Sequence, residues 1–258
     1  MQSSVAQALE AFEMDAPLSR EDSERIDSLV RFYEAHLLDR ATRLAQNLLL
    51  LVNDIRLRPL IHSTKMRAKD PEHLRDKLQR KMRKCMESGE PFDIDEANLF
   101  VRINDLAGIR ILHLHTAQVP AINETLTSLL HNELYEIIEG PTARIWDEEY
   151  EDIFRGYGIG AVKNNRLYTS VHYVVSAGNK DKVHTAEIQV RTLAEELWGE
   201  VDHSFNYPHP TDIRSCQEQI KVLARVTSSC TRLVDSIFLA RELAAVPAAA
   251  PVDVPQPK

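Results

Sequence analysis

Apolar residues return at three- and four-residue steps through Ile26, Val30, Tyr33, Leu37, Ala41, Leu44, Leu48, Leu51 and Ile55. A stripe of that period predicts one long helix over residues 21–57. It opens after Ser19, with Glu21 and Asp22 where a helix N-terminus favours acids. The same period returns in Ile220, Leu223, Thr227, Cys230, Val234 and Ile237, which predicts a second long helix near the other end. Between them the pattern shortens. It gives strands near 99–103, 108–114, 134–139, 168–176 and 183–191, with a helix near 118–131 after the second. Asp70 followed by Pro71 marks one more helix start. This alternation predicts an α/β or α+β domain built on a mixed sheet. No internal repeat is visible, and residues 244–258, rich in Ala and Pro, are expected to be disordered.

One stretch combines both periods. Over residues 187–191, Glu187, Gln189 and Arg191 alternate with Ile188 and Val190, so an acid, an amide and a guanidinium share one strand face. Arg191, Glu195, Trp198 and Asp202 then follow at helical steps on one stripe. Periodicity alone fits an ordinary half-exposed strand and amphipathic helix equally well. The run Gly156-Tyr157-Gly158-Ile159-Gly160 has the look of a phosphate loop, but no helix follows it, so a flexible connection is expected there.

Charge and cysteine usage narrow the class. The net charge of -8 argues against broad, non-specific nucleic-acid binding. A local basic site survives that argument: Lys65, Arg67, Lys69, Arg75, Lys77, Arg80, Lys81, Arg83 and Lys84 face only Asp70, Glu72 and Asp76. Such a run is either a solvated helix face or an anion clamp, with Lys77 and Arg80 on one side of the helix. The three cysteines form no CxxC pair and no even disulfide set, which fits a reducing cytoplasm. The apolar run Leu48–Val52 is too short to cross a bilayer. The N-terminus lacks the basic start and apolar core of a signal peptide, so no membrane association is expected.

Three blocks in order carry a family resemblance. Asp105, Gly108 and Arg110 fit an Asp-x-x-Gly-x-Arg element, Tyr168, Ser170 and His172 fit Tyr-x-Ser-x-His, and residues 187–203 fit a closing motif. Any one alone would be weak; three in sequence are specific. Over roughly residues 63–207 the chain resembles the RelA/SpoT-type alarmone synthetases, above all the small single-domain ones. The resemblance implies a nucleotidyltransferase-like α+β fold with long N- and C-terminal helices. It divides the chain into a helical extension (1–60), the synthetase domain (61–208), a C-terminal helix (209–243) and the tail (244–258).

It also implies an activity, the transfer of pyrophosphate from ATP to the 3′-hydroxyl of GDP or GTP with Mg2+. On that basis Asp105 and Glu187 are expected as metal-binding and catalytic acids, with Glu187 drawing the proton from the acceptor. Arg67, Lys69, Lys77, Arg80 and Arg110 are expected to bind ATP, and Tyr168, His172, Gln189, Arg191 and Arg166 the acceptor, with Tyr168 stacked on its base. Family members also imply a homo-oligomer, a tetramer among the small ones. No elements of a metal-dependent hydrolase domain are recognisable in the N-terminal helix.

The departures matter as much. His73 stands where the family often has serine. Lys-x-x-Gly-Tyr becomes Asn164, Asn165, Arg166, Leu167 and Tyr168, with Lys163 one place early and Arg166 able to restore the charge. Leucine enters positive-φ geometry at a cost, so this loop is expected to take another path. Asp202-His203 replaces a glutamate-histidine pair; His203 fits a phosphate contact and a packing role equally, and Trp198, though it matches a family position, fits core better than ligand. The altered loop keeps open a toxic relative acting on a tRNA 3′ end or an adenine nucleotide. A silent nucleotide-binding regulator is disfavoured by the presence of both acids.

Overall fold

The Ser19 side chain accepts the Asp22 amide, and helix α1 (Arg20–Phe32) starts there with Glu21 and Asp22 in its first turn. A π-helical turn at Tyr33–Leu37 leads into α2 (Leu38–Val52), so the expected helix is one rod with a widened turn inside it. The structure, a computed structural model, describes residues 18–177, 184–207 and 210–245. The predicted stripe from Ile26 to Leu51 is buried throughout. Ile55 is 82% exposed, because the rod stops at Val52 and a turn at Asp54 carries Leu57 into the core instead.

After the rod come β1 (Ser63–Ala68), α3 (Pro71–Ser88), the single turn α4 (Leu99–Arg102) and β2 (Ala107–His113). They are followed by α5 (Val119–Asn132), β3 (Tyr135–Ile145), α6 (Glu149–Gly156), β4 (Gly160–Lys163) and β5 (Ser170–Ala177). Last are β6 (His184–Thr192), α7 (Leu193–Asn206) and α8 (Arg214–Ala245). The strands form one six-stranded sheet in the order β1-β2-β6-β5-β3-β4. β2 pairs with β6, and β3 with β4, in parallel; the other pairs are antiparallel. This is the α+β class with a mixed sheet and flanking helices that the alternation predicts. Ile109, Ile111, Val171, Tyr173, Ile188 and Val190 join the rod's buried residues in one continuous core. The opposite sheet face, where Arg67, Arg110, Glu187 and Gln189 stand, carries the polar side chains.

Four local expectations need correction or sharpening. Residues 99–102 form a helical turn rather than a strand: the Asp95 carboxylate takes the amides of Ala97 and Asn98, and the Asn98 carbonyl then takes those of Val101 and Arg102. That turn buries Leu99, Phe100 and Ile103 together and turns Val101 outward. Residues 63–68, read only as part of a basic run, are an edge strand whose polar side chains hide its period. The glycine-rich run is a connection: Gly156 ends α6, Gly158 turns at φ +72, and Gly160 opens β4. In α8 the packed side is Ile220, Ala224, Thr227, Ser228 and Thr231, so Cys230 and Ile237 of the predicted stripe face outward. Small and hydroxylated residues let α8 approach closely, and Thr231 and Thr192 share a hydrogen bond at 3.2 Å.

No helix among the described residues is long and apolar enough to cross a membrane. Residues 1–17 of the expected extension, position 183 of the expected strand, and residues 246–258 of the expected tail lie outside the described residues.

Candidate active site

The registers of β1, β2, β6 and β5 bring the motif residues of separate segments side by side. Arg67 on β1 lies opposite Gly108 on β2, which lies opposite Glu187 on β6. Further along the strands, Lys65, Arg110, Gln189 and His172 form the next row on this face. A cavity of about 100 Å³ opens over these rows, lined by Lys65, Arg67, Gly108, Arg110, Glu187 and Gln189 among others. A Cβ on Gly108 would stand 3.7 Å from both Arg67 Cγ and the Glu187 carbonyl, so any side chain larger than alanine would fill this space. A larger cavity of about 740 Å³, between α2 and the start of β3, contains none of these residues.

On one flank three cations converge on Asp105. Lys69 Nζ lies 2.8 Å from Asp105 Oδ2, Lys77 Nζ 2.6 Å from Oδ1, and Arg67 3.9 Å away. The local sequence builds this directly. Asp70 caps α3 through the amides of Glu72 and His73, Pro71 takes the first helical position, and Leu74, Leu78 and Met82 anchor the helix in the core. Burial alone would push the Asp105 carboxyl up, but Lys77 and Lys69 hold it well below the usual carboxylate range. Burial likewise lowers the Lys69 ammonium, with Asp105 opposing. Arg80 stands away from this cluster, its guanidinium 5.9 Å from the ring of Tyr207. The Tyr207 ring in turn stacks on His203, 4.6 Å between centroids, and meets His73 edge-on at 4.5 Å. The departure at His73 therefore supplies an aromatic contact in place of a hydroxyl.

The other flank is a hydrogen-bonded chain. Ser170 Oγ lies 2.7 Å from His172 Nε2, His172 Nδ1 lies 2.8 Å from Glu187 Oε1, and Gln189 Nε2 donates to Glu187 Oε2 at 2.8 Å. Burial raises the Glu187 carboxyl, yet the His172 contact and Gln189 bring it net below its ordinary value, against repulsion from Asp105. The two acids thus share one electrostatic field, close enough to oppose each other's ionisation. Ser170 is buried, so the serine-histidine-glutamate order serves to orient His172 and not to present a nucleophile.

Tyr168 lies beside His172, with ring centroids 6.1 Å apart, and packs with Leu167 and Trp146 against the cluster around Trp198. The cost expected of a leucine at positive φ does not keep this loop out of that geometry. Leu167 itself adopts φ +56, in the left-handed region that a leucine enters at a cost, and its side chain joins the Trp198 cluster. Arg166 is exposed, with its amide held by the Asn164 side chain. Arg191 is buried: Glu196 holds its guanidinium, and a Cβ on Gly199 would come within 2.9 Å of its Nη1. It props α7 against the sheet, outside the lining of the cavity.

Three residues not singled out as site residues from the sequence, Lys65, Glu196 and Glu200, complete the site. Lys65 Nζ meets Glu196 at 2.8 Å, and Arg110 Nη1 meets Glu196 at 3.3 Å and Glu200 at 2.7 Å. Glu196 and Glu200, one helical turn apart on α7, could be read in the sequence as a pair, but their partners lie far away along the chain.

Comparisons with known proteins agree with the motif blocks. A family model described as a region found in RelA and SpoT proteins matches residues 66–212, more than half the chain. The structure of a GTP pyrophosphokinase family protein from Streptococcus pneumoniae is similar over 81% of this chain and 95% of that one, at 21% identity and a TM-score of 0.55. Small alarmone synthetase 1 from Bacillus subtilis bound to its product pppGpp is similar over 80% and 95%, at 19% identity and a TM-score of 0.54. The same synthetase bound to AMPCPP gives 79% and 95%, 16% and 0.52. Likeness at these identities is likeness of fold. No curated protein sequence matches the chain.

Proposed function

The chain belongs to the RelA/SpoT family, and from that premise we propose that it is an alarmone synthetase, transferring pyrophosphate from ATP to the 3′-hydroxyl of GDP or GTP. The observation that carries this reading is the pairing of Asp105 and Glu187 in one field, with cations on one side and an oriented histidine on the other. Two carboxylates and no softer donor fit Mg2+, which takes one or two acids plus phosphate oxygens and water. Among the described residues no group of three or more His, Cys, Asp or Glu could hold an ion unaided, so nucleotide oxygens would complete the shell of Asp105 and Glu187. When bound, the cation would neutralise charge on the phosphate oxygens.

The chain's own residues do the rest. Lys69, Lys77 and Arg67 exchange Asp105 for the ATP phosphates, with Arg110 along the nucleotide. Glu187, ionised and held by His172 and Gln189, accepts the proton of the 3′-hydroxyl as that oxygen bonds to the β-phosphorus. The bond from the β-phosphorus to the oxygen it shares with the α-phosphate breaks, and AMP leaves with that electron pair. Tyr168 offers the acceptor base a flat wall. The nucleotides bound to the Bacillus synthetase, pppGpp and AMPCPP, support both partners.

Transfer itself provides the test. Purified protein with Mg2+ and ATP labelled in its terminal phosphates is offered GDP, GTP, ADP and tRNA in parallel. Label is expected in guanosine tetra- or pentaphosphate, with Arg67→Ala and Lys77→Ala raising KM for ATP. Label in tRNA or adenine nucleotide, or in nothing, overturns the assignment.

A further inference from the structure

The peptide group between Tyr168 and Thr169 is gripped at both ends by side chains. Asn164 Nδ2 donates to the Tyr168 carbonyl at 2.9 Å, and the Thr169 amide donates to Glu195 Oε2 at 3.1 Å. Fixing that peptide restrains ψ of Tyr168 and so the Cα–Cβ bond from which its ring hangs. The Asn164 grip is local to the loop. The other comes from across the molecule, on the first turn of α7, which is itself tied down by Thr192 accepting the Glu195 amide. A carboxylate is costly at such a position, since Glu195 is 3% exposed and its second oxygen has no hydrogen-bond partner among the described residues. An apolar residue would pack there at no cost in desolvation. What the carboxylate adds is its bond to Thr169.

We propose that Glu195 is a positioning residue for the acceptor, holding the Tyr168 platform through Thr169, so that acceptor binding follows the protonation state of this buried carboxyl. The proposal rests on the reading of Tyr168 as acceptor platform. Ionised, Glu195 makes a charge-assisted bond to the Thr169 amide; protonated, it makes a weaker neutral one and must also find an acceptor for its own proton.

Its surroundings make this titration fall in a useful range. Burial pushes the Glu195 carboxyl up to about 7, with the Thr169 amide and the Arg191 guanidinium of β6 opposing. His113 of β2 and Tyr150 of α6 line the same small cavity beside Glu195. Burial keeps both neutral at this pH, lowering His113 to about 4 and raising Tyr150 to about 12. Arg232 and Asp235 of α8 lie beyond Tyr150, and Glu196 follows on the same helix, turned toward Arg191 and Lys65.

Two readouts on the full chain separate the proposal from its premise. Amide exchange at Thr169, corrected for intrinsic rate, is followed without nucleotide from pH 8 to pH 6, and KM for GDP is measured over the same range. Protection is expected to fall and KM for GDP to rise about 3- to 10-fold, the scale of losing charge assistance in one hydrogen bond. In Glu195→Gln, which keeps the shape and an acceptor oxygen, both should lose that pH dependence while KM for ATP follows the native protein. Protection that ignores pH in the native chain, or that survives Glu195→Leu, overturns the proposal at Glu195. Protection that follows pH while KM for GDP does not overturns it through the premise that Tyr168 carries the acceptor.

Discussion

Lys69 and Lys77 converge on a single carboxylate in a largely desolvated place, so the charge of Asp105 keeps two ammonium groups there. On the proposed reading of Asp105 as a metal ligand, Asp105→Asn therefore removes more than that ligand. Transfer is expected to fall by at least about 100-fold, and unfolding free energy by about 1–3 kcal/mol, because the lysines lose their counter-charge. Denaturant titration checks the second figure, and saturating labelled ATP the first. The pH dependence fixes the cause. The folded Asp105 carboxyl is depressed below its unfolded value, so its stabilisation is complete above about pH 4 and is lost as pH falls through the native value. The stability gap between native and Asn proteins should close in acid. At this scale the motif positions were legible, because strand period alone puts Glu187 and Gln189, or Ser170 and His172, on a common side. Lys65 and Glu196 were not, since they meet across 131 positions and nothing local to either pairs it with the other. Leu167 misled for a plain reason: steric preference makes a left-handed leucine costly, by about 1–2 kcal/mol, but packing beside Trp198 can outweigh it.

The rod of α1 and α2 is more than a support for the sheet, because Tyr33 at its π-helical turn donates to the Lys69 carbonyl at 2.6 Å. That bond ties the rod to the junction of β1 and α3, the stretch that carries the donor clamp. Tyr33→Phe leaves a buried carbonyl without its donor, and should cost about 1–2 kcal/mol. It should also raise KM for ATP a few-fold with little change in KM for the acceptor, which steady-state kinetics with each nucleotide varied in turn will test. Long stripes made the rod and α8 predictable as helices, whereas the shorter elements were ambiguous. Residues 99–103 offered apolar groups at alternate positions, and only the side-chain turn of Asp95 and Asn98 decided for a helix. Edge strand β1 had no period to read, since its side chains serve the site rather than the core. The face that α8 buries was set by its fit to its neighbours, a tertiary choice that outranked its largest apolar residues.

For the molecule as a whole, the region shared with the family, 66–212, has one core in common with the rod that precedes it. Ile26, Tyr33, Leu44, Leu48 and Val52 belong to the same core as Ile109, Ile111 and Ile188. A chain beginning at residue 61 would uncover that face of the sheet and is expected to lack a cooperative thermal transition. One beginning at residue 18, which keeps the rod, should retain such a transition, and calorimetry distinguishes the two. The parallel pairing of β2 with β6 bears on time as well as on shape. Gly108 and Glu187 become neighbours only when a loop of about 80 residues closes between them, and contacts so distant in sequence form slowly. Asp105 meets Lys69 and Lys77 over a far shorter span. A folding chain therefore acquires its cationic clamp first and its second acid last. If these groups have the roles proposed for them, the chain in that interval can grip phosphate but has nothing to take the proton, so recovery of turnover on refolding should trail recovery of ATP binding.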